Sequence, residues 1–248
     1  MNIERLIIFF IFGLAFGPIL SILVDRAVER LNPEPELRCS SCKKGAGLKS
    51  LIPVYHWFLK CSGCSKSLGV RYLFTDLLAA GSMVLAAGKF DEPYYLIPFM
   101  LFFLVLAALS VIDVETHLLP NIIVWPSIWI SLVLVGLLSF IFLAFDNYLY
   151  ALLGAVIFSG FLFISFLVYP KGMGLGDVKL AIFLGLYIGW LQDSTIVALT
   201  AVLYALVIAS VLGGVLGLLY NFIMKKGRSE IPFGPFLVAG SLVVIMAS

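Results

Sequence analysis

Pro170-Lys171-Gly172-Met173-Gly174-Leu175-Gly176-Asp177-Val178-Lys179-Leu180 is the stretch on which the reading of this chain turns. Three alternating glycines, Gly172, Gly174 and Gly176, lead into one carboxylate, Asp177, and then Lys179, with long apolar runs on both sides. A carboxylate at the edge of hydrocarbon is costly, so Asp177 is a functional candidate by default. The glycines let the backbone turn, unwind or pack closely just before it. One acid does little alone, so a partner has to come from elsewhere in the chain.

The surrounding sequence sets the class. Of the 248 residues, 62% are hydrophobic and only 12% charged, and the mean hydropathy is +1.12. These values describe an all-α polytopic membrane protein in contact with a lipid bilayer. A net charge of +2 is too small to point to a nucleic-acid partner. Glu4 and Arg5 precede an apolar run to Val24 with no small-residue cleavage pattern after it, which reads as a first membrane helix and not as a removable signal. A span needs roughly 20 apolar residues. On that criterion the chain predicts about eight transmembrane helices, at 4–25, 72–88, 94–112, 121–143, 147–169, 177–191, 195–223 and 231–247.

Basic residues fix the expected orientation. With the N-terminus outside, the inside segments are 26–71, 113–120, 170–179 and 224–230, and they hold 14 of the 16 lysines and arginines. Only Arg5 and Lys89 remain outside, so the positive-inside rule favours N-out with the large 26–71 loop in the cytosol. The chain then divides into a first helix (1–25), a cytosolic loop (26–71) and a seven-helix membrane core (72–248).

The loop is too small for a hydrophobic core to suffice, so a staple is expected. Cys39-Ser-Ser-Cys42 and Cys61-Ser-Gly-Cys64 form two Cys-x2-Cys knuckles with 18 residues between them. Four thiolates at this spacing suit a closed, structural tetrahedral zinc site. Disulfides are the ordinary alternative, but the topology places the loop in a reducing compartment. A redox pair would need a thioredoxin-like pattern, which is absent.

Asp113, in Ser110-Val-Ile-Asp113-Val-Glu115-Thr-His117-Leu-Leu-Pro120-Asn121, falls at the cytosolic end of the third span, with Pro120 starting the next helix. Asp113 and Asp177 therefore share one membrane level, although 64 residues separate them. The remaining polar groups have blander readings. Glu115 and His117 belong to an aqueous turn, and His56 is superfluous beside four cysteines. Asp76 sits near the start of the second span, where it caps or pairs with Arg71. Asp91, Glu92, Asp146 and Asp193 are solvated in outside turns.

Two aspartates brought close cannot both ionise easily, so they hold one proton between them. One then takes a proton from water while the other donates to a developing oxyanion, which is aspartyl-protease chemistry. A proton-coupled transporter is the rival, since transporters also use intramembrane carboxylates and glycine-interrupted helices. Against it stand the position of both acids at one edge and the absence of an internal repeat. The glycines match neither a Walker loop nor a dinucleotide fingerprint.

Gly174-Leu-Gly176-Asp177-Val-Lys179 resembles the Gly-x-Gly-Asp-x-Lys signature of the type IV prepilin peptidases, membrane aspartyl proteases of pili and type II secretion. The resemblance covers nearly the whole chain. Leu184-Gly-Leu-Tyr-Ile-Gly-Trp190 is similar to the family's sixth helix, and Ile112-Asp113 with Leu119-Pro120 to its first catalytic-aspartate motif. The two cysteine knuckles, Ile52-Pro53-Val54, Trp57 and Arg71-Tyr72 are similar to its cytosolic zinc subdomain, and Ile231-Pro-Phe-Gly-Pro-Phe236 to its last-helix motif.

The resemblance implies an enzyme of the bacterial inner membrane that cleaves the short basic leader of prepilins or pseudopilins after a glycine, on the cytosolic side. It implies Asp113 and Asp177 as the catalytic pair, Gly174 and Gly176 as the residues that shape the backbone at Asp177, and Lys179 as a charge-tuning neighbour. It also implies zinc on Cys39, Cys42, Cys61 and Cys64, and N-methylation of the new terminus with S-adenosylmethionine, supported by the 26–71 subdomain. Departures from the family pattern are Asn121 after Pro120, Gly17-Pro-Ile-Leu-Ser-Ile in the first helix, the short Phe58-Leu59-Lys60 before the third cysteine, and Asp76 for a glutamate. Apart from Asn121, they lie at or beside the cytosolic subdomain and bear on methylation more than on proteolysis.

Overall fold

The computed structural model describes residues 3–28, 52, 58, 60, 63, 70–116, 119–169, 174–224 and 233–248. Among them are eight helices: α1 (Ile3–Val28), α2 (Val70–Lys89), α3 (Pro93–Thr116), α4 (Asn121–Ile141), α5 (Phe145–Val168), α6 (Leu175–Trp190), α7 (Thr195–Met224) and α8 (Gly234–Ala247). Five, namely α1, α3, α4, α5 and α7, are long and apolar enough to cross a membrane. Five of the eight expected spans thus qualify on length and composition among the described residues. At 1.5 Å per residue, the 16 residues of α6 reach only about 24 Å, less than a hydrocarbon layer of about 30 Å. The zinc subdomain expected at 26–71, with Cys39, Cys42, Cys61 and Cys64, lies outside the described residues.

The chain forms two compact units, residues 1–112 and 113–248. In the first, α1 and α2 run antiparallel, and their contacts descend in register. Arg5 forms an ion pair with Asp91 and donates to the Phe90 carbonyl. Gly13 lies against the backbone of Ala79 and Ala80, and Gly17 against Asp76. Ser21 meets Thr75 at 2.5 Å, and the Tyr72 hydroxyl donates to Asp25 Oδ2 at 2.9 Å. The glycines bring the helix backbones close enough for these short polar side chains to bond across, as membrane helices do. Asp76, expected to cap the helix or to pair with Arg71, is fully buried on this interface, and the Arg71 side chain lies outside the described residues. Phe90, Phe99, Phe102 and Phe103 form an aromatic cluster beside it.

In the second unit α6 is the centre. Every residue from Leu180 to Trp190 except Ile182 is buried, the pattern of a helix surrounded by protein. It packs on α4, α5, α7 and α8. The α5 contact is backbone on backbone: a Cβ at Gly154 would run into the Gly185 carbonyl, and one at Gly189 into the Tyr150 carbonyl. Against α4 the contact is polar, with Ser131 Oγ 3.0 Å from the Tyr187 hydroxyl and Trp190 Nε1 donating to Ser139 Oγ at 3.2 Å. α4 buries Ser127, Ser131 and Ser139 together with Val124, Ile128 and Val135, and exposes Trp129, Ile130, Val133, Leu137 and Phe140. Serines kept inside and an outer face of large apolar side chains is the polarity that a bilayer selects, and the chain is a multi-pass membrane protein.

α4 turns into α5 through a Schellman motif: Ala144 N donates to the Ser139 carbonyl at 2.8 Å and Leu143 N to that of Phe140 at 3.3 Å. Its left-handed position, usually glycine, is filled by Leu143 at φ 56. Tyr187→Phe removes the bond that Ser131 makes across to α6. Thermal unfolding in detergent should show a loss of about 1 kcal/mol, and adding Ser131→Ala in that background should change little more. A fully additive second loss would mean that the two hydroxyls act independently.

Candidate active site

The candidate site belongs to the second unit. Asp113 lies in the last turn of α3 and is 5% exposed, and Asp177 lies in the first turn of α6 and is 9% exposed. α3 ends where its apolar run gives way to the polar segment before Pro120. Proline cannot continue a helix from a donor-less nitrogen, and Pro120 serves as the N-cap of α4, one position earlier than the first helical residue expected for it. α6 begins after Gly174, which adopts ordinary extended backbone (φ −84°, ψ 144°) as N-cap and accepts from Asp177 N–H at 3.1 Å.

The two carboxylates converge on one point, the first residue of α8. A Cβ built at Gly234 would overlap Asp113 Oδ2 and would lie 3.6 Å from Asp177 Oδ1. Two acids separated widely in sequence, each supplied by a helix end, thus flank a third helix end that has no side chain. Burial this deep in a membrane protein is tolerated for a carboxylate only where it is bonded or put to use.

The other expected residues divide. Gly176 is a close-approach site: a Cβ there would sit 3.1 Å from Leu119 Cβ and 3.4 Å from its Cδ1. Gly174 has more room, with Gly176 N at 3.8 Å and Asp177 Oδ2 at 3.9 Å from the same construction. Lys179 Nζ donates to Asn121 Oδ1 at 2.8 Å, tying the start of α6 to the start of α4. Two residues on from Asp177 it cannot share that residue's helix face. Gly172 and the four cysteines lie outside the described residues, and among those described no group of three or more histidines, cysteines or acids could hold a metal.

The sequence model of the type IV leader peptidase family matches residues 100–218, and that of the bacterial peptidase A24 N-terminal domain matches residues 11–90. The chain is 32% identical to a prepilin leader peptidase/N-methyltransferase of Dichelobacter nodosus, over 85% of this chain and 71% of that protein. It is 30% identical to one of Stutzerimonas stutzeri over 86% and 72%. The chain belongs to the type IV leader peptidase family. A prepilin leader peptidase/N-methyltransferase of Aeromonas hydrophila aligns over 96% of this chain and 89% of its own length at 26% identity. No solved structure matches. Membership gives the transporter alternative no support.

Both aspartates and both described glycines fall within the leader peptidase match, whereas Gly234 lies beyond it. Sequence reasoning picks out the Pro-Phe-Gly-Pro motif around Gly234 but gives the glycine no part. Its only signal is a glycine followed by proline at a helix start, which reads as helix initiation. Asp25 escapes sequence reasoning entirely, because it follows an apolar run as any helix-ending acid would. A Gly176→Ala change should lower stability in detergent by about 1–3 kcal/mol through the Leu119 contact. Leu119→Ala in the same chain should remove most of that difference; if the two losses simply add, the contact is not the cause.

Proposed function

We propose that this chain is a membrane-embedded aspartyl endopeptidase that removes the basic leader of type IV prepilins or pseudopilins at a glycine junction on the cytosolic side of the bacterial inner membrane. The observation that carries the reading is the convergence of two buried carboxylates, Asp113 and Asp177, around Gly234 in a member of the leader peptidase family. The substrate's apolar helix remains in the bilayer and presents its junction at the membrane edge, while its basic leader stays in the cytosol. Orientation follows the distribution of lysine and arginine, with the N-terminus outside and residues 26–71 inside.

The chemistry follows from a shared proton. The ionised carboxylate takes a proton from water as the oxygen attacks the scissile carbonyl carbon, and the protonated partner gives its proton to the carbonyl oxygen. Collapse of the tetrahedral species breaks the C–N bond, and the departing amine takes a proton back from the pair. Gly174 and Gly176 set the backbone at Asp177, with Leu119 seated against Gly176. Lys179, held by Asn121, adds positive charge at the mouth without quenching the pair. Asp113→Asn and Asp177→Asn should each reduce leader cleavage at least about 100-fold with folding intact, read by intact mass of a detergent-solubilised prepilin. Cleavage by the wild type should follow a bell-shaped pH profile, falling at low pH where both acids are protonated and at high pH where both are charged. Normal cleavage by either variant sinks the dyad.

The names of the relatives extend the proposal to a second step, methylation of the exposed amine with S-adenosylmethionine as methyl donor. The 26–71 segment is its proposed seat, held by structural zinc on Cys39, Cys42, Cys61 and Cys64. Adding S-adenosylmethionine to the cleavage assay should add one methyl mass to the mature product. Metal analysis should find one zinc per wild-type chain and a loss of it in Cys39→Ser and Cys61→Ser; equal metal in all three removes the four-cysteine site.

A further inference from the structure

The first residue of α8 has a role that the aspartates themselves do not reveal. We propose that Gly234 is a positioning residue, whose missing side chain leaves the space in which the Asp113 carboxyl lies against Asp177. The inference rests on the dyad reading given above.

Three observations support it. The Gly234 Cβ direction is occupied by Asp113: Oδ2 overlaps the built position and Cγ lies 3.3 Å from it, with Asp177 Oδ1 at 3.6 Å. The backbone at Gly234 is not in the left-handed region, so conformational freedom is not what glycine supplies there. Finally, α8 has little room to retreat. A Cβ at Gly240 would already crowd the α7 backbone, at 2.5 Å from the Ala205 carbonyl oxygen and 2.9 Å from Ala209 N, and Leu237 is fully buried. At the start of the helix, Phe236 N–H and Leu237 N–H both donate to the Phe233 carbonyl at 3.1 Å, and the Phe236 ring lies over Gly213 of α7. A methyl group at position 234 therefore meets a helix braced by its neighbours, and the group that can move is the Asp113 side chain. Rotating it away takes one acid out of reach of the other. Displacements of about 1 Å at a reacting group can lower rates about 100-fold.

Two measurements on the whole 248-residue chain in detergent test this. In the first, Gly234→Ala is assayed against a solubilised prepilin. The expected result is a kcat reduced about 100-fold with KM for the prepilin essentially unchanged, while Gly160→Ala, which has open space around it, retains wild-type kcat. Wild-type kcat in Gly234→Ala overturns the proposal. In the second, melting temperatures are compared across Gly234→Ala, Asp113→Ala and the double variant. Gly234→Ala should lower the melting temperature clearly when Asp113 is present and little in the Asp113→Ala background, so the two changes are strongly non-additive. Additive shifts overturn the proposal. If Gly234→Ala alone cannot be purified folded, a folded double variant supports it and an unfolded one overturns it. Because the melting-temperature comparison does not depend on cleavage, a chain that shows the coupling but no wild-type cleavage rejects the peptidase reading and the positioning role of Gly234 with it, whereas cleavage without coupling rejects Gly234 alone.

Discussion

The contact between α5 and α6 sets the frame of the second unit. Gly154, Gly185 and Gly189 remove the side chains that would hold the two helices apart, so backbone meets backbone. Between membrane helices, water-driven burial contributes nothing, and close packing with short hydrogen bonds has to hold the bundle together. Once α6 is seated this way, the rest of its surface is left to α4, α7 and α8. Tyr187 and Trp190 use their polar tips to find Ser131 and Ser139 on α4, and Asn147 of α5 donates to the Trp190 carbonyl at 3.2 Å. The C-terminal half of α6 is thereby fixed in rotation as well as position, which determines where Asp177 at its other end is directed.

The acid end uses the same principle with different materials. Gly176 admits Leu119, Gly234 admits Asp113, and Lys179 reaches sideways to Asn121. At these helix contacts glycine is a means of close approach. None of these helix-packing glycines depends on a left-handed backbone, and the left-handed position in the turn after α4 is a leucine.

Much of this was legible in the sequence. Apolar run length locates helices because the hydrocarbon layer imposes it, and the helix boundaries fall within a few residues of the expected ones. That Asp113 and Asp177 come near one another was legible for a topological reason: an even number of crossings returns the chain to one membrane level, so two acids at helix ends are candidates for each other. What was not legible is contact between specific side chains. Gly234 and Asp113 are far apart in sequence and carry no shared period, and a glycine before proline looks the same whether or not a carboxylate fills the space beside it. Asp76 read as a cap or a partner of Arg71 from its position near a helix start, and nothing in that position shows that it lies against Gly17 of α1. The hydroxyl bonds between α4 and α6 were hidden for the same reason, since serine in an apolar run has no direction until a neighbour supplies one.

The inverted polarity of α4 has a consequence for handling the protein outside a membrane. Its exposed face, from Ile122 through Trp129 and Val133 to Phe140, is made of large apolar side chains, and its hidden face carries three hydroxyls among Val124, Ile128 and Val135. In plain water this helix would have every incentive to turn over, presenting its serines to solvent and its hydrocarbon to its neighbours. Such a rotation would separate Ser131 from Tyr187 and Ser139 from Trp190 at once, loosening the grip on α6. The amphiphile chosen to replace the lipid is in this sense a structural ligand of α4, and a detergent that wets that face poorly would loosen the seat of the helix that carries Asp177.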